Sequence, residues 1–288
     1  MEISYLQVLI LAVLQGACEL LPVSSSAHVI IAEKLMGLDP STPDMTLLLV
    51  MLHTGTMFAV IIYFWNSWKN CFFASKASLV RYIKLVAVAT IVTGVIGLSL
   101  KFIIEKVVLR HIEHAEVELL FGNLWLIATA LMVVGLLIIY AGSKNISQQA
   151  SDEIGLKESS MIGIVQGLCL PFRGFSRSGA TISTGLLLGI NRIRSEEFSF
   201  ALAVVLTPPV VMREVLRMIK VHPIHAGEAV GLFHLLVPSL VGMIASFVAG
   251  LMALKWLSHW LEIGRWKFFG YYCLALSLLV IVLKLIGV

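Results

Sequence analysis

The sequence is poor in charged residues, which argues against an ordinary soluble domain. Asp, Glu, Lys and Arg make up 13% of the 288 residues, whereas a soluble domain carries roughly 25%. Hydrophobic residues account for 59% of the chain, and the mean hydropathy is +0.95. This composition predicts an integral membrane protein in contact with membrane lipids.

Cysteines and clustered cations are also scarce. The four cysteines stand singly in or beside apolar segments, without the spacing of a metal site or of a secreted disulfide scaffold. We therefore expect them to be small buried residues. The net charge of +4 comes from lysines and arginines that lie between apolar runs, so no nucleic-acid partner is expected. Residues 4–14 lack a basic flank and a clear cleavage site, so no cleavable signal peptide is expected.

Two polar breaks interrupt the apolar chain about 150 residues apart. The first runs from Gln15 to His28 and reads Gln-Gly-Ala-Cys-Glu-Leu-Leu-Pro-Val-Ser-Ser-Ser-Ala-His. In the second half, Gln-Gly-Leu-Cys at 166–169 echoes its start, and a Pro/Gly-containing stretch leads into Ser-Arg-Ser-Gly-Ala-Thr at 176–181. Ionisable groups at membrane depth usually face a cavity or a partner, so both breaks are candidate functional sites.

The apolar segments predict two similar halves. Because a spanning helix needs about 20 residues, the short segments that flank each break predict a re-entrant helical hairpin rather than two spans. The short segments are 4–14, 27–36, 160–170 and 179–190, and the longer runs, each predicting a transmembrane helix, are 45–66, 82–104, 118–142, 197–219, 229–253 and 268–287.

The sequence therefore predicts an all-α integral membrane fold with six transmembrane helices plus two re-entrant helical hairpins in an inverted-topology repeat. The whole chain, 1–288, forms one membrane domain with halves at about 1–142 and 160–288, joined by a linker at 143–159. Three spans per half invert the second half, so the hairpins meet near the midplane from opposite faces. The basic loops 67–81 and 255–267 favour the cytoplasmic side, which places both termini outside.

The residue types in the two breaks are typical of phosphate binding. Ser24 and Ser176 each follow a turn and precede a short helix, as helix-capping residues do. A helix N-terminus binds anions, and Arg177 adds a guanidinium that can hold two phosphate oxygens. Glu19 would be repelled by that anion unless a cation lies between them, which predicts a divalent cation, Mg²⁺ or Ca²⁺.

A histidine near the serines adds the elements of nucleophilic catalysis. His28 follows Ser24 by four residues and Ser25 by three, so a helix would place them on one face as a nucleophile and its base. Structural roles are also open. The serine run could only cap a helix, Arg177 could only pair with Glu19, and a lone histidine such as His53 is more often a satisfied core residue. We expect four glycines to be helix-packing positions, namely Gly94, Gly97, Gly242 and Gly250.

These motifs resemble those of the undecaprenyl-pyrophosphate phosphatase family, the bacitracin-resistance membrane phosphatases. The resemblance rests on Gln-Gly-x-x-Glu at 15–19, Leu-Pro-Val-Ser-Ser-Ser-x-His at 21–28 and Gly-Phe-Ser-Arg-Ser-Gly-Ala-Thr at 174–181. It extends to Gly-Leu-Leu-Leu-Gly at 185–189 and Glu-Phe-Ser-Phe at 197–200, and so covers nearly the whole chain.

The resemblance implies an enzyme that hydrolyses undecaprenyl pyrophosphate, an isoprenoid lipid pyrophosphate, to undecaprenyl phosphate and inorganic phosphate. This reaction recycles the lipid carrier for peptidoglycan synthesis, and so serves cell wall biogenesis and cell shape and confers bacitracin resistance. It also implies a multi-pass protein of the bacterial inner membrane with a divalent-metal-dependent site open to the periplasm. The sequence is compatible with a homodimer but does not set the oligomeric state.

Carried over residue by residue, the resemblance assigns a role to each position of the two motifs. Glu19 is the acidic catalytic residue, Ser25 and His28 are the nucleophile and its proton partner, and Arg177 binds phosphate. Whether serine, histidine or water attacks is left open, with Ser25 preferred. The remaining assignments are Ser24, Ser26, Ser176, Ser178 and Thr181 for the phosphate cradle, and Glu19 with Gln15 for the metal.

Three positions depart from the family pattern. Gln15 stands where a second carboxylate can occur, which weakens a metal site built on two carboxylates. Ala27 replaces the glycine that usually precedes the histidine. Phe172 and Arg173 lengthen the second motif between Pro171 and its glycine, and add a cation.

Two other classes of protein share parts of this pattern. Inverted repeats with broken helices also build transporters, here of polyprenyl phosphate or another anion. Because fold alone does not decide function, the hydroxyl, imidazole and carboxylate groups are what favour an enzyme. A type-2 phosphatidic-acid phosphatase would need a His–Asp pair after Arg177, and no such pair occurs.

Overall fold

The computed structural model describes residues 3–38, 42–111, 117–144, 150–221 and 229–286, most of which are helical. The only β-structure among these residues is an isolated bridge between Ser151 and Ile190. A π-helical turn follows α4 at Ile104–Val108, and a 3₁₀ turn precedes α5 at Val117–Leu120. The α-helices are α1 (Tyr5–Leu20), α2 (Ser25–Leu35), α3 (Pro43–Cys71), α4 (Lys76–Ile103), α5 (Leu124–Ser143), α6 (Leu156–Cys169), α7 (Arg177–Leu187), α8 (Arg192–Val221), α9 (Ala229–Glu262) and α10 (Lys267–Leu285).

Five helical segments of the described residues are long and apolar enough to cross a membrane. Large apolar side chains cover their outer faces, as in Leu98 and Phe102 on α4, which are 69% and 63% exposed. Such a surface suits lipid rather than water, and the protein is a multi-pass membrane protein. The five segments are Met45–Cys71, Lys76–Val108, Leu124–Ser143, Leu236–Glu262 and Lys267–Leu285.

The first break is shorter than the sequence predicts, because α1 continues to Leu20. The helix begins at a capping box in which Ser4 accepts from the backbone N–H of Gln7. It ends where Leu21 adopts an extended backbone, ψ 147°, as expected for the residue before Pro22. The prediction that regular structure ends at residue 14 is therefore wrong.

The second break lies between α6 and α7, as predicted. α6 begins at Leu156, within the predicted linker 143–159, of which residues 145–149 lie outside the described residues. Leu170 keeps a helical backbone although Pro171 follows it, so this break starts with a tighter turn than the first. The chain therefore carries two helix–break–helix units, α1–α2 and α6–α7, at the positions where the sequence places them.

Helix packing brings the two breaks together. α1 packs on α9 and α3, while α7 contacts α6, α5 and α8, and α10 packs along α5. One buried apolar cluster includes Leu20 and Val23 beside the first break and Cys169 and Ala180 beside the second. The cysteines are unpaired, with Cys71 only partly buried and the other three buried, which confirms most of that prediction.

Close helix contacts occur at glycines, although at only three of the four predicted positions. Gly97 packs against Leu170, Gly242 against Leu48 and Leu52, and Gly250 against Ala59 and Leu20. At Gly94, no heavy atom of another described element lies within 4 Å of where a Cβ would stand, so that prediction is wrong.

Gly16 makes a closer contact that supports the first break directly. A Cβ at this position would lie 2.5 Å from the carbonyl oxygen of Ser246 on α9. The contact is with backbone, which cannot rotate away as a side chain could. Since Gln15 and Glu19 lie on the same helix, the α1–α9 contact at Gly16 also sets the position of their side chains.

We predict that Gly16→Ala destabilises the protein while Gly94→Ala does not. Overpacking against a backbone carbonyl costs about 1–3 kcal/mol, whereas an alanine in the open at position 94 gains up to about 1 kcal/mol of helix propensity. Thermal unfolding in detergent measures both variants. Equal unfolding temperatures for the two would contradict the close α1–α9 contact.

Candidate active site

The carboxylate of Glu19 lies at the last turn of α1 and accepts hydrogen bonds from both breaks. Gln15, one helical turn earlier, donates its Nε2 to Glu19 Oε2 over 3.1 Å. The hydroxyl of Ser25 donates to the same oxygen at 2.6 Å. Arg177 Nη2 lies 3.2 Å from Glu19 Oε1, so the ion pair joins α1 to α7 across the chain.

The ion pair is only partly open to solvent. The side chains of Glu19 and Arg177 are each 20% exposed, so screening by water is limited. Arg177 Nη1 is buried and has no hydrogen-bond partner in the described part of the chain. A buried guanidinium N–H without an acceptor is uncommon, and an anion bound beside it would supply one.

Ser24 holds the first break in a strained backbone conformation. Its φ is +66°, and among the described residues it is the only residue other than glycine with positive φ. Its side chain makes no capping hydrogen bond and pairs instead with Ser26 Oγ at 3.2 Å. The predicted capping role of Ser24 is therefore wrong. Its strained backbone sets the direction in which the chain enters α2 at Ser25.

The first break touches the second through Ser26. The backbone N–H of Gly174 donates to Ser26 Oγ over 3.2 Å. Gly174 has φ +94°, a conformation that glycine adopts without steric cost. The predicted meeting of the two breaks is thus present in the structure.

The hydroxyls of the second break form hydrogen bonds with other groups of the protein. Ser176 caps α7 as predicted, since its Oγ accepts from the backbone N–H of Gly179 at 3.2 Å. Ser178 lies 3.4 Å from the carbonyl oxygen of Leu21. Thr181 bonds the Arg177 carbonyl at 2.8 Å and the hydroxyl of Ser199, on α8, at 2.6 Å. The Ser178 and Thr181 hydroxyls therefore join packed elements rather than pointing freely into the site.

His28 does not bond Ser25. Its Nδ1 lies 2.8 Å from the carbonyl oxygen of Ser24, and its Nε2 lies 2.7 Å from the hydroxyl of Tyr272 on α10. The sequence-predicted nucleophile–base pair is not joined by a hydrogen bond in this structure. The group that accepts from the Ser25 hydroxyl is Glu19.

His53, which the sequence predicts to be a core residue, lies beside Glu19 and belongs to the site. It lies on α3, its side chain is 39% exposed, and its Nε2 is 3.9 Å from Glu19 Oε2. Its Nδ1 bonds the carbonyl of Leu49 at 2.8 Å, which leaves Nε2 as the nitrogen facing the carboxylate. In the sequence, a histidine followed by Thr-Gly-Thr has no periodic pattern that distinguishes a site residue from a core residue. The position of His53 beside Glu19 is evident only from the packing of α3 on α1.

The comparisons with known proteins agree with these motifs. The sequence profile of the family described as Bacitracin resistance protein BacA matches residues 8–279. Undecaprenyl-diphosphatase 2 of Acinetobacter baylyi is 57% identical over 279 residues, which cover 96% of this chain and 97% of that protein. Undecaprenyl-diphosphatase of Bacteroides fragilis is 30% identical over 292 residues, covering 97% of this chain and 98% of the relative. The chain belongs to the BacA family.

Membership of the BacA family confirms the resemblance. Two of the positions that depart from the family motifs, Arg173 and Gln15, have defined contacts in the structure. Arg173, the extra cation of the second motif, lies over the ring of Phe121 at 4.5 Å from its centroid. Gln15 donates to Glu19, whereas its counterpart Gln166 on α6 donates to Thr93 on α4 at 3.1 Å. The two glutamines of the repeated motif therefore serve different partners.

The donors around Glu19 fit a magnesium ion that is bound together with phosphate. The described residues contain no group of three or more His, Cys, Asp or Glu side chains that could hold a metal. Magnesium, however, is commonly held by one or two carboxylates and by substrate phosphates, and keeps several waters. One carboxylate, Glu19, with the Ser25 hydroxyl beside it, meets that lower requirement. Gln15 faces Glu19 with its Nε2, so Oε1 is the amide atom that would serve as a ligand.

We predict that Ser24→Gly gives a more stable protein than Ser24→Ala, by about 1 kcal/mol, because a Cβ at positive φ costs about 1–2 kcal/mol. Both variants lack the hydroxyl, so their difference isolates the backbone strain. The measurement is the unfolding temperature of the two purified proteins in the same detergent. A more stable alanine variant would show that Ser24 is not strained.

Proposed function

We propose that the protein hydrolyses undecaprenyl pyrophosphate to undecaprenyl phosphate and inorganic phosphate. The observation that carries the proposal is that one carboxylate, Glu19, contacts both a serine hydroxyl and an arginine from the other half of the chain. Relatives named undecaprenyl-diphosphatase, one of them 57% identical, support the same reaction. The reaction recycles the lipid carrier of peptidoglycan synthesis, which gives the protein its place in cell wall biogenesis and bacitracin resistance.

Arg177 binds the pyrophosphate in this proposal. Its Nη1, which has no partner among the described residues, can donate to an incoming phosphate oxygen while Nη2 remains on Glu19. Arg177 is also the first residue of α7, whose N-terminal N–H groups favour an anion. The apolar side chains exposed on the outer helix faces allow the isoprenoid chain of the substrate to remain in the lipid, in contact with the protein surface.

Ser25 attacks the terminal phosphorus, and Glu19 accepts its proton. A bond forms between Ser25 Oγ and phosphorus while the bond from phosphorus to the bridging oxygen breaks, and undecaprenyl phosphate leaves with that oxygen. Water then hydrolyses the phosphoserine, which releases inorganic phosphate and restores the Ser25 hydroxyl. Glu19 returns its proton to the Ser25 oxygen in this second step, and His53 faces the carboxylate with Nε2 3.9 Å from Glu19 Oε2.

We also propose a divalent cation, Mg²⁺ before Ca²⁺, as the cofactor. Glu19 and Gln15 would hold it, and when bound it would neutralise charge on the phosphate oxygens. Magnesium is usually bound through only one or two carboxylates together with substrate phosphates and waters, which suits a site with one carboxylate.

The same proposal extends to the membrane arrangement. The units α1–α2 and α6–α7 are re-entrant hairpins, α8 contains the sixth span at 197–219, and the halves are inverted copies. The site opens to the periplasmic side of a bacterial inner membrane, since the basic loops 67–81 and 255–267 favour the cytoplasm. A homodimer, which the sequence permits, stays a prediction.

The test is phosphate release from a C15 or C55 isoprenyl pyrophosphate by detergent-purified protein. Ser25→Ala and Arg177→Ala should each lower kcat about a hundredfold or more, the size of losing a main transition-state contact. Arg173→Ala is the matched control, because it removes a cation of the same loop that lies over Phe121. Near-normal turnover in Arg177→Ala, or substrate binding without any release by the wild type, would overturn the proposal and favour a transporter.

For the cation, we predict that Gln15→Glu lowers the half-saturating Mg²⁺ concentration about tenfold, because ligand charge sets the affinity of such sites. Gln7→Glu is the control. It makes the same charge change on α1, at a capping-box position that accepts either residue. Phosphate release after EDTA treatment and stepwise return of Mg²⁺ gives the curve. Activity that is insensitive to EDTA in every variant would remove the cation from the mechanism.

A further inference from the structure

Both ring nitrogens of His28 are engaged by groups other than Ser25. A carbonyl oxygen only accepts hydrogen bonds, so Nδ1, at 2.8 Å from the Ser24 carbonyl, carries a proton. In the neutral ring Nε2 is then the acceptor, and the hydroxyl of Tyr272 donates to it over 2.7 Å. The Tyr272 ring also stacks on the imidazole, with centroids 5.7 Å apart and planes 9° from parallel.

The carbonyl that His28 holds belongs to the strained residue of the first break. Ser24 has φ +66°, and its peptide leads directly into Ser25, the first residue of α2. The orientation of that peptide sets the direction of the Ser25 hydroxyl toward Glu19. A conformation of this kind persists only when surrounding contacts hold it.

Helix α10 supplies two neighbouring contacts to this break. Tyr272 bonds His28, and the thiol of Cys273 lies 3.3 Å from the carbonyl oxygen of Pro22. α10 comes from the second half of the chain and packs mainly along α5. Two consecutive side chains of α10 therefore contact this break, one at the Pro22 carbonyl before the serine run and one at the His28 side chain after it.

We propose that Tyr272 is a positioning residue for the reaction. It fixes the His28 ring, His28 holds the Ser24 carbonyl, and the Ser24 peptide then presents the Ser25 hydroxyl to Glu19. His28 supports the geometry of the nucleophile in this arrangement, and the proton of Ser25 goes to Glu19. The inference rests on the proposed function for its kinetic assay, but not for its spectroscopic one.

The kinetic test compares Tyr272→Phe with Tyr271→Phe, a change of the neighbouring exposed tyrosine. Tyr272→Phe keeps the stacked ring and removes only the hydroxyl. Its kcat for phosphate release should fall about tenfold, the effect of one hydrogen bond, with KM unchanged because Tyr272 does not bind phosphate. Tyr271→Phe should match the wild type. A Tyr272→Phe enzyme with wild-type kcat would overturn the proposal.

A second pair of variants separates positioning from proton transfer. Asparagine places an amide N–H near the position of Nδ1 and can still donate to the Ser24 carbonyl, but it cannot act as a base. His28→Asn should therefore retain at least about tenfold more activity than His28→Ala, since one hydrogen bond is kept. An equal loss of activity in both variants would overturn the positioning role and indicate instead that His28 transfers a proton.

The spectroscopic test needs no turnover. In protein labelled with ¹⁵N-histidine, the His28 Nε2 resonance should move in Tyr272→Phe and stay in place in Tyr271→Phe, with both proteins folded. An unmoved resonance would contradict the hydrogen bond itself. If the wild type released no phosphate but the resonance moved, the proposed function would fail while the Tyr272–His28 contact stood.

Discussion

A carboxylate in an apolar protein interior is stable only when nearby groups replace the water it has lost. Glu19 meets this requirement with one cation and several hydrogen-bond donors, and the cation comes from the other half of the chain. Leaving either charge without its partner costs several kcal/mol. The ion pair therefore links the ends of α1 and α7, and the close α1–α9 contact, the strained serine turn and the capped start of α7 all keep that pair in register.

In the proposed function, the same ion pair prepares the site for an anion. Arg177 lies beside the carboxylate with one N–H that has no partner in the part of the chain that the structure describes, so in the proposed function a phosphate does not have to draw the guanidinium from solvent. Preorganised charges of this kind stabilise a reacting group more than mobile ones, because little reorganisation accompanies the reaction. The cost is a buried donor that has no acceptor among the described residues.

The pattern of the sequence anticipates some of these features and not others. The lengths of the apolar runs predict both breaks and most of the helices, because a membrane requires long apolar segments. The chemistry of the two motifs predicts that Glu19 and Arg177 lie in one site, as they do. The true end of α1 is missed because a helix continues through polar residues when its own hydrogen bonds are satisfied. His53 and Tyr272 are missed because they reach the site through the packing of α3 and α10, which short-range patterns do not encode. The strain at Ser24 likewise depends on contacts from distant helices.

The unequal partners of the two repeated glutamines have a consequence for how the protein evolved. Gln15 is followed one turn later by Glu19, whereas Gln166 is followed at the same spacing by Leu170 and bonds Thr93 instead. If the halves descend from one duplicated gene, a symmetric ancestor would have had two equivalent centres. In the present chain Glu19 and Ser25 lie in the first half and Arg177 lies in the second, so the proposed function divides the acid and nucleophile from the phosphate-binding arginine. In that proposal neither half could act alone, because neither contains both the carboxylate and the guanidinium.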